Sequence, residues 1–186
     1  IPLEKSVWMR QNFCWSATSV TSGKPRISKR TSYGSLEKRK VNTMKPEINW
    51  VVHLVKNGVA CACCGDVENG FIQYACNGHT HGMEQYEHPD FQLVLSLPDK
   101  EICRILNTFG LWVQAGRRFH NGELVEGIYL DCPVRLQEFE ETGRTVFRVV
   151  IPDKHNRFPE DTNCEYPYTL QIFDTEFLSR KGGFSQ

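Results

Sequence analysis

The chain has 186 residues, of which 40% are hydrophobic and 24% charged, so it can hold one globular domain with a sizeable core and hardly two. Its longest apolar runs have the length of a strand, which excludes a transmembrane helix. Eight cysteines are too few for a scaffold built on disulfides, and a core of this size needs none. We therefore predict reduced thiols and a cytoplasmic protein.

The net charge of zero is the sum of two opposite parts. Residues 1–46 carry ten Lys or Arg against two Glu, a net charge of +8, so the remainder carries −8. Ser16–Lys45 is rich in Ser, Thr, Lys and Arg and has no helical or strand period, so it cannot bury enough surface to offset its ordering entropy. The sequence predicts a disordered basic tail over 1–45 and a single α+β domain over 46–180. Met44, just ahead of the first predicted strand, would be a natural start of the protein.

Three interpretations of the tail compete. It could be an arm that contacts nucleic acid or a membrane surface through Arg26–Arg30 and Lys38–Lys40. It could be a transit-type peptide, because it is basic, contains Ser and is poor in acids. The favoured interpretation is a solvated extension, since most basic runs are solvated, and nucleic acid would be contacted only through this tail.

After residue 46 the pattern predicts several strands and one long helix. The helix is expected over 97–115, opened by a capping-box pattern at Ser96-x-x-Asp99. Its apolar residues recur on one stripe, namely Ile102, Ile105, Leu106, Phe109, Trp112 and Val113. Strands are predicted at Trp50–Val55, Gly70–Ala75, Phe91–Leu97, Ile128–Cys132, Val134–Phe139, Thr145–Ile151 and Tyr168–Phe173.

These elements predict an α+β fold. A turn at Glu141–Arg144 joins two of the strands into a β-hairpin. Strands outnumber helices and do not alternate regularly with them. We expect a largely antiparallel sheet with one main amphipathic helix packed on one face.

A cluster of cysteines and histidines predicts a metal site. Cys61-x2-Cys64 is followed by Cys76-x2-His79, and these gaps suit four ligands of one tetrahedral zinc ion. The competing interpretation treats Cys61 and Cys63 as small buried hydrophobic residues on one face of a strand.

A second set of ligands overlaps the first. His79 and His81 would point the same way from a strand, and His88 or Asp90 could complete three donors. Such a set leaves an open coordination position, as hydrolytic and oxygen-handling metals require. The competing interpretation is a polar loop in which Asp90 only caps local N–H groups.

Anion binding is a further possibility at the end of the predicted helix. Arg117 and Arg118 could hold a phosphate or carboxylate, although cations that complement the helix dipole explain them equally well. A cysteine nucleophile near a histidine is conceivable at Cys64 or Cys76, but no sequence pattern fixes that geometry.

Several short motifs together resemble a bacterial domain-of-unknown-function family, the one numbered 4262. The corresponding segments are Tyr74-Ala-Cys-Asn-Gly78, His88-Pro89-Asp90-Phe91, Gly116-Arg-Arg-Phe119, Pro152-Asp153 and Arg157-Phe158-Pro159. The chain departs from the family pattern at His79–Gly82, and it has Glu160 where the pattern has Trp. The resemblance covers about residues 48–175 and implies no particular activity.

The sequence thus predicts a small metal-binding accessory domain, with zinc as the expected ion. Two alternatives stay open. One is a metal-dependent hydrolase or oxygen-handling enzyme that uses the histidines; the other is a metal-free module that binds another protein. Four protein ligands would indicate a structural zinc, whereas three ligands and water would indicate an enzyme.

Overall fold

A computed structural model describes residues 47–58 and 70–179 of the chain. The strands are β1 (Val51–Val55), β2 (Ala75–His81), β3 (Asp90–Leu95), β4 (Leu124–Val125), β5 (Val134–Glu141) and β6 (Arg144–Val150). The helices are α1 (Asp99–Gln114) and the short α2 (Thr175–Leu178), with 3₁₀ turns at Met83–Tyr86 and Tyr168–Ile172. The predicted tail over 1–45 and the domain limits at 46 and 180 lie outside the described residues.

The six strands form one sheet in the order β1-β2-β3-β6-β5-β4. All neighbouring pairs are antiparallel except β3 with β6, whose parallel pairing follows from the crossover through α1. The α+β prediction, with a largely antiparallel sheet and one main helix, is confirmed. No helix in the described part of the chain is long and apolar enough to cross a membrane.

Helix α1 covers one face of the sheet with the stripe that its periodicity predicts. Ile102, Ile105, Leu106, Phe109 and Val113 are buried, whereas Trp112 is half-buried at the margin. The predicted capping box is wrong, because Pro98 is the residue before the helix and no side chain caps the first turn. Asp99 instead pairs with Lys56 from the end of β1.

Two glycines allow α1 to lie close to its neighbours. A Cβ atom on Gly110 would come within 2.5 Å of the Trp50 ring. A Cβ atom on Gly78 would come within 2.7 Å of Ile102 Cγ2. Since real Cβ contacts are longer than this, both positions require a residue without a side chain. Gly78 therefore brings β2 directly against the helix.

The predicted hairpin is confirmed in β5 and β6. Its two-residue turn contains Thr142 at φ 48° and Gly143 at φ 78°. Two successive residues at positive φ match the right-handed twist of the strands they join. Glu141 and Arg144 consequently face each other as the first pair of the ladder.

Two of the strand predictions are wrong, and near each of these segments a side-chain amide satisfies backbone groups. At Gly70–Ala75 only Ala75 belongs to β2, and the Asn57 amide pairs with the N–H and C=O groups of Phe71. Tyr168–Phe173 forms a 3₁₀ turn, from which the Gln171 amide pairs with both backbone groups of Ile151. Each amide presents the donor and acceptor that a neighbouring strand would otherwise supply.

The third incorrect strand prediction is Ile128–Cys132. This segment bends after Gly127, which has a φ of 89°. The carbonyl of Ile128 accepts a hydrogen bond from Arg104 of α1 at 3.1 Å rather than from another strand. The backbone group is therefore satisfied without a place in the sheet.

The loop after β6 is organised around the fully buried side chain of Asp153. Its carboxylate accepts hydrogen bonds from the backbone N–H groups of His155, Arg157 and Glu165 and from the Arg157 guanidinium. Burial opposes the charge, but the Arg157 guanidinium and the three N–H groups outweigh it and hold the pKa of Asp153 well below its usual range.

The sheet face opposite α1 is divided into an apolar part and a polar part. The C-terminal segment covers the apolar part, where Val94 and Ala75 pack with Leu170 and Leu178. Arg148 lies between the two parts, buried under Phe139 and donating to the carbonyls of Gln171 and Phe173. The polar part extends from there over β2 and β1 and contains a group of histidines.

Candidate metal centre

Three histidines converge on the polar part of this face. His53 lies in the middle of β1, and His79 and His81 lie two residues apart in β2. The strand register places His53 directly opposite His79. Because side chains alternate along a strand and face their partners across it, all three rings share one surface. His53 and His79 are half-buried and His81 is exposed.

The three rings are close enough to share one ion. One ring nitrogen from each histidine can be chosen so that all three atoms lie within 4.8 Å of one another. The Nε2 atoms of His79 and His81 are already 3.0 Å apart. The donor atoms of a tetrahedral zinc site lie about 3.3 Å apart, given Zn–N bonds of about 2.0–2.1 Å. The most distant pair of donors would have to approach by up to about 1.5 Å to reach the spacing of a zinc site.

The environment favours the neutral form of two of these imidazoles, those of His79 and His81. Burial, followed by the neighbouring His81, Arg144 and His53, lowers the pKa of His79 to about 3. The pKa of His81 is lowered as well, first by burial and then by the Arg144 guanidinium. A neutral imidazole is the form that binds a metal ion.

Hydrogen bonds behind His79 fix the orientation of its ring. Asn77 Oδ1 lies 3.1 Å from His79 Nδ1 and accepts a hydrogen bond from the N–H at that atom, which leaves Nε2 with a lone pair that faces His81. Asn77 is held in turn by its Nδ2 donating to Glu141 at 2.8 Å and by Gln92 donating to its Oδ1 at 3.2 Å. Supporting hydrogen bonds of this kind orient metal-ligating histidines.

Arg144 borders the group on the side of His81. Its Nη1 lies 3.2 Å from His81 Nδ1 and 2.7 Å from Asp90 Oδ2. Asp90 is itself held by Thr80 Oγ1 and the backbone N–H of Met83. The cation beside the histidines is therefore anchored through a buried carboxylate.

The structure does not bring together the described members of the predicted cysteine-containing set. Cys76 lies on the helix side of β2, fully buried in the main core, and its thiol points to the carbonyl of Leu95 at 3.2 Å. His79 lies on the other face. Cys61 and Cys64 lie outside the described residues, so the four-ligand set as a whole stays a prediction.

The second predicted set is brought together in part. His79 and His81 are neighbours, and Asp90 reaches His81 through Arg144. His88 is separate, because its ring stacks on Phe91 and packs against Phe119 and Phe147 in the core. Its Nδ1 donates to the carbonyl of Pro89 at 2.7 Å.

The predicted anion-binding arginines follow α1. Arg117 pairs with Glu123 at 2.9 Å and lies over the Phe119 ring, 4.4 Å from its centroid. Arg118 donates to the carbonyl of Arg117 at 3.3 Å. Glu123 thus occupies the position an anion would take at Arg117, and anion binding at this pair stays a prediction.

The sequence interpretation missed His53 as a candidate ligand. It lies in a run of β-branched residues, 26 positions before His79. Only the β1–β2 register makes them neighbours, and the sequence does not specify that register across so long a connection. The alternation within β1 was the available signal, because it places His53 on the face opposite Val52 and Leu54.

Comparisons of the chain with protein-family models, with curated proteins and with solved structures find no match. The resemblance to the family numbered 4262 therefore stays a prediction. Chemically, three imidazoles on adjacent strands are the donor type that zinc, copper, iron and nickel ions accept, and they would leave at least one coordination position for another ligand.

Proposed function

We propose that this protein is a metal-binding domain that holds one zinc ion through His53, His79 and His81. The observation that supports the proposal is the convergence of three ring nitrogens within 4.8 Å on two paired strands. No aspartate, glutamate or cysteine joins the group within residues 47–58 and 70–179. Three histidines with an open position are the arrangement of catalytic zinc sites, where a bound water or substrate is the fourth ligand.

Two further features support an ion at this place. The low pKa of His79 means that no proton has to leave that ring at neutral pH before a metal binds. The hydrogen bond to Asn77 leaves Nε2 of His79 as the metal-facing atom. Zinc is the first choice because it accepts imidazole ligands in tetrahedral geometry and does not depend on a redox partner.

The open coordination position also favours metal-assisted hydrolysis over an accessory role for this domain. A zinc ion with three neutral ligands retains its full charge, so a bound water would become acidic enough to act near neutral pH. The histidines would hold the ion, and the Asn77 contact orients the ring of His79.

Zinc titration of the purified full chain tests the proposal. We expect one zinc per chain, measured by competition with a chromophoric chelator and by elemental analysis. His53→Ala, His79→Ala and His81→Ala should each lose the ion while the fold remains intact by circular dichroism. His155→Ala is the matched control, because this exposed histidine lies in the loop after β6 and contacts Glu165.

Two cysteine variants separate this proposal from the sequence-based alternative. Cys61→Ser and Cys64→Ser should keep the ion at the histidines. Loss of zinc in these variants, with retention in His53→Ala, would contradict the proposal and favour the cysteine-containing set. Absence of stoichiometric zinc, together with an unchanged melting temperature on adding zinc, would refute both sites.

A further inference from the structure

Arg144 is a charged group in direct contact with His81, at the edge of the three histidines. It is the first residue of β6, and its side chain is 34% exposed, whereas Asp90 beneath it is 8% exposed. The two contacts given above use a single guanidinium nitrogen, Nη1. An arginine side chain offers five N–H donors in a planar fork. Arg144 can therefore keep its contact with Asp90 while the fork turns toward a new acceptor.

The hydrogen bond from Arg144 determines where His81 carries its proton. An arginine can only donate, so His81 Nδ1 must accept, and the ring hydrogen of the neutral form is on Nε2. That hydrogen points at Nε2 of His79, whose own hydrogen is on Nδ1 and is donated to Asn77. The donors and acceptors of this chain of contacts agree with one another at every step.

This arrangement and a metal ion exclude each other at His81. Binding through Nε2 needs the other neutral tautomer, with the hydrogen on Nδ1. An N–H group on Nδ1 cannot face the N–H of Arg144, so the guanidinium has to leave His81 when the ion enters. Binding through Nδ1 displaces Arg144 directly. In either case the ion releases the guanidinium beside its open coordination position.

The charges at the loaded site then favour an anion. The three ligands are neutral, so the ion keeps a charge of +2, and the charge of Arg144 is balanced by Asp90. An oxyanion has one oxygen for the metal and a second for the guanidinium, which binds carboxylates and similar planar groups through paired N–H donors. A neutral ligand would leave the second contact unused.

We infer that the exchangeable ligand of this site is a small oxyanion of the carboxylate type, held jointly by the metal and by Arg144. The inference rests on the proposed metal-binding function and names the ligand class for the same site. Arg144 thus has two positions, on His81 in the metal-free protein and on the anion in the loaded protein.

The test measures zinc affinity of the full chain in a non-coordinating buffer, with acetate as the probe. Because acetate would bind only the loaded form, it should tighten zinc binding, by about tenfold at an acetate concentration ten times its dissociation constant. Arg144→Met should abolish this coupling while still binding one zinc. Without acetate, Arg144→Met should bind zinc more tightly than the wild type, since no donor opposes the required tautomer.

Arg135→Met is the matched control, because Arg135 pairs with Glu160 and lies over Phe158; it should behave as the wild type does. Arg144→Lys keeps the charge and loses the fork, so it should retain zinc and lose most of the coupling. If Arg144→Met does not fold, Arg144→Lys decides the same question. Cobalt in place of zinc shows whether acetate enters the coordination sphere, through a change in its visible absorption.

The outcomes separate the two levels of the proposal. Zinc binding with no acetate effect, or with an equal effect in Arg144→Met, overturns the anion inference and leaves the metal site intact. An acetate effect without a change in cobalt absorption also overturns it, because the anion would then contact Arg144 alone. Failure of every variant and the wild type to bind zinc overturns the metal site and the inference together.

Discussion

Replacing Asn77 by alanine tests whether the hydrogen bonds behind His79 prepare its ring for a metal. The change removes the oxygen that lies 3.1 Å from His79 Nδ1 and leaves β2 otherwise unaltered. Without that oxygen, the hydrogen bond that keeps His79 Nδ1 away from His81 is lost. The change also removes the donor to Glu141.

The expected loss follows from the position of this contact. Removing a hydrogen-bond partner of a ligating histidine lowers metal affinity about 10–100-fold. This range corresponds to about 1.4–2.7 kcal/mol of binding free energy. We expect the lower half, because half-buried His79 leaves room for water to replace part of the contact. Asn77→Asp keeps the acceptor for His79 Nδ1 but puts a second carboxylate oxygen beside Glu141 in place of the Nδ2 donor, so it should recover only part of the affinity that Asn77→Ala loses.

The assay is a competition titration with zinc and a chelator on the wild type, Asn77→Ala and Asn77→Asp. Asn121→Ala is the matched control, since its amide oxygen accepts a hydrogen bond from the backbone of Glu138. Zinc binding by Asn77→Ala as tight as that of the wild type, while His79→Ala binds none, would show that the ring needs no such support.

Three predictions concern the fold that carries the site. Leu106→Ala should lower the free energy of unfolding by about 2–5 kcal/mol, because Leu106 is fully buried; exposed Lys100→Ala on the same helix is the control, and equal urea midpoints for the two would place the stripe in solvent. Gly110→Ala should destabilise the wild type, although alanine is the better helix former by about 1 kcal/mol, because its Cβ would lie 2.5 Å from Trp50. In a Trp50→Ala background the same change should become stabilising, and a stabilising effect in both backgrounds would exclude the close packing. For Asp153 the folded pKa is depressed, so its stabilisation is present above the unfolded pKa of about 3.9 and is lost as the pH falls through the folded value. The difference in unfolding free energy between the wild type and Asp153→Asn should therefore shrink below about pH 4, and a difference constant from pH 7 to pH 3 would contradict the assignment.

The elements that the sequence predicts correctly are those specified by local patterns. The stripe of α1 repeats at helical spacing within 16 residues, and the β5–β6 turn is specified by four consecutive residues. Neither depends on a distant partner. Residues near one another in sequence therefore determine both the conformation and the buried face.

The elements that it predicts wrongly depend on distant side chains. Phe71 satisfies its backbone through Asn57, and Ile151 through Gln171, 20 positions away. Segments 70–75 and 168–173 look like short strands, but a strand also needs a continuous backbone partner. Segment 70–75 has only the isolated bridge of Phe71 with Ser179, and the sequence does not show which side-chain amides satisfy the nearby backbone groups. The same reason hides His53, because its neighbours His79 and His81 are defined by pairing across strands.

The two faces of β2 differ in how much free energy it costs to prepare a donor for a metal ion. Zinc binds a thiolate, yet burial raises the pKa of the Cys76 thiol to about 12, so deprotonation there would place a charge among the apolar residues under α1. On the other face His79 is already neutral and accessible from the side of exposed His81. An ion that binds β2 therefore meets a lower cost at the imidazoles than at the thiol. If Cys61 and Cys64 also bind metal, the cost of deprotonating Cys76 favours other donors beside them. Cys76→Ala should then leave zinc stoichiometry unchanged and lower only the stability of the core, whereas loss of zinc in this variant would show that the thiol reaches the ion after all.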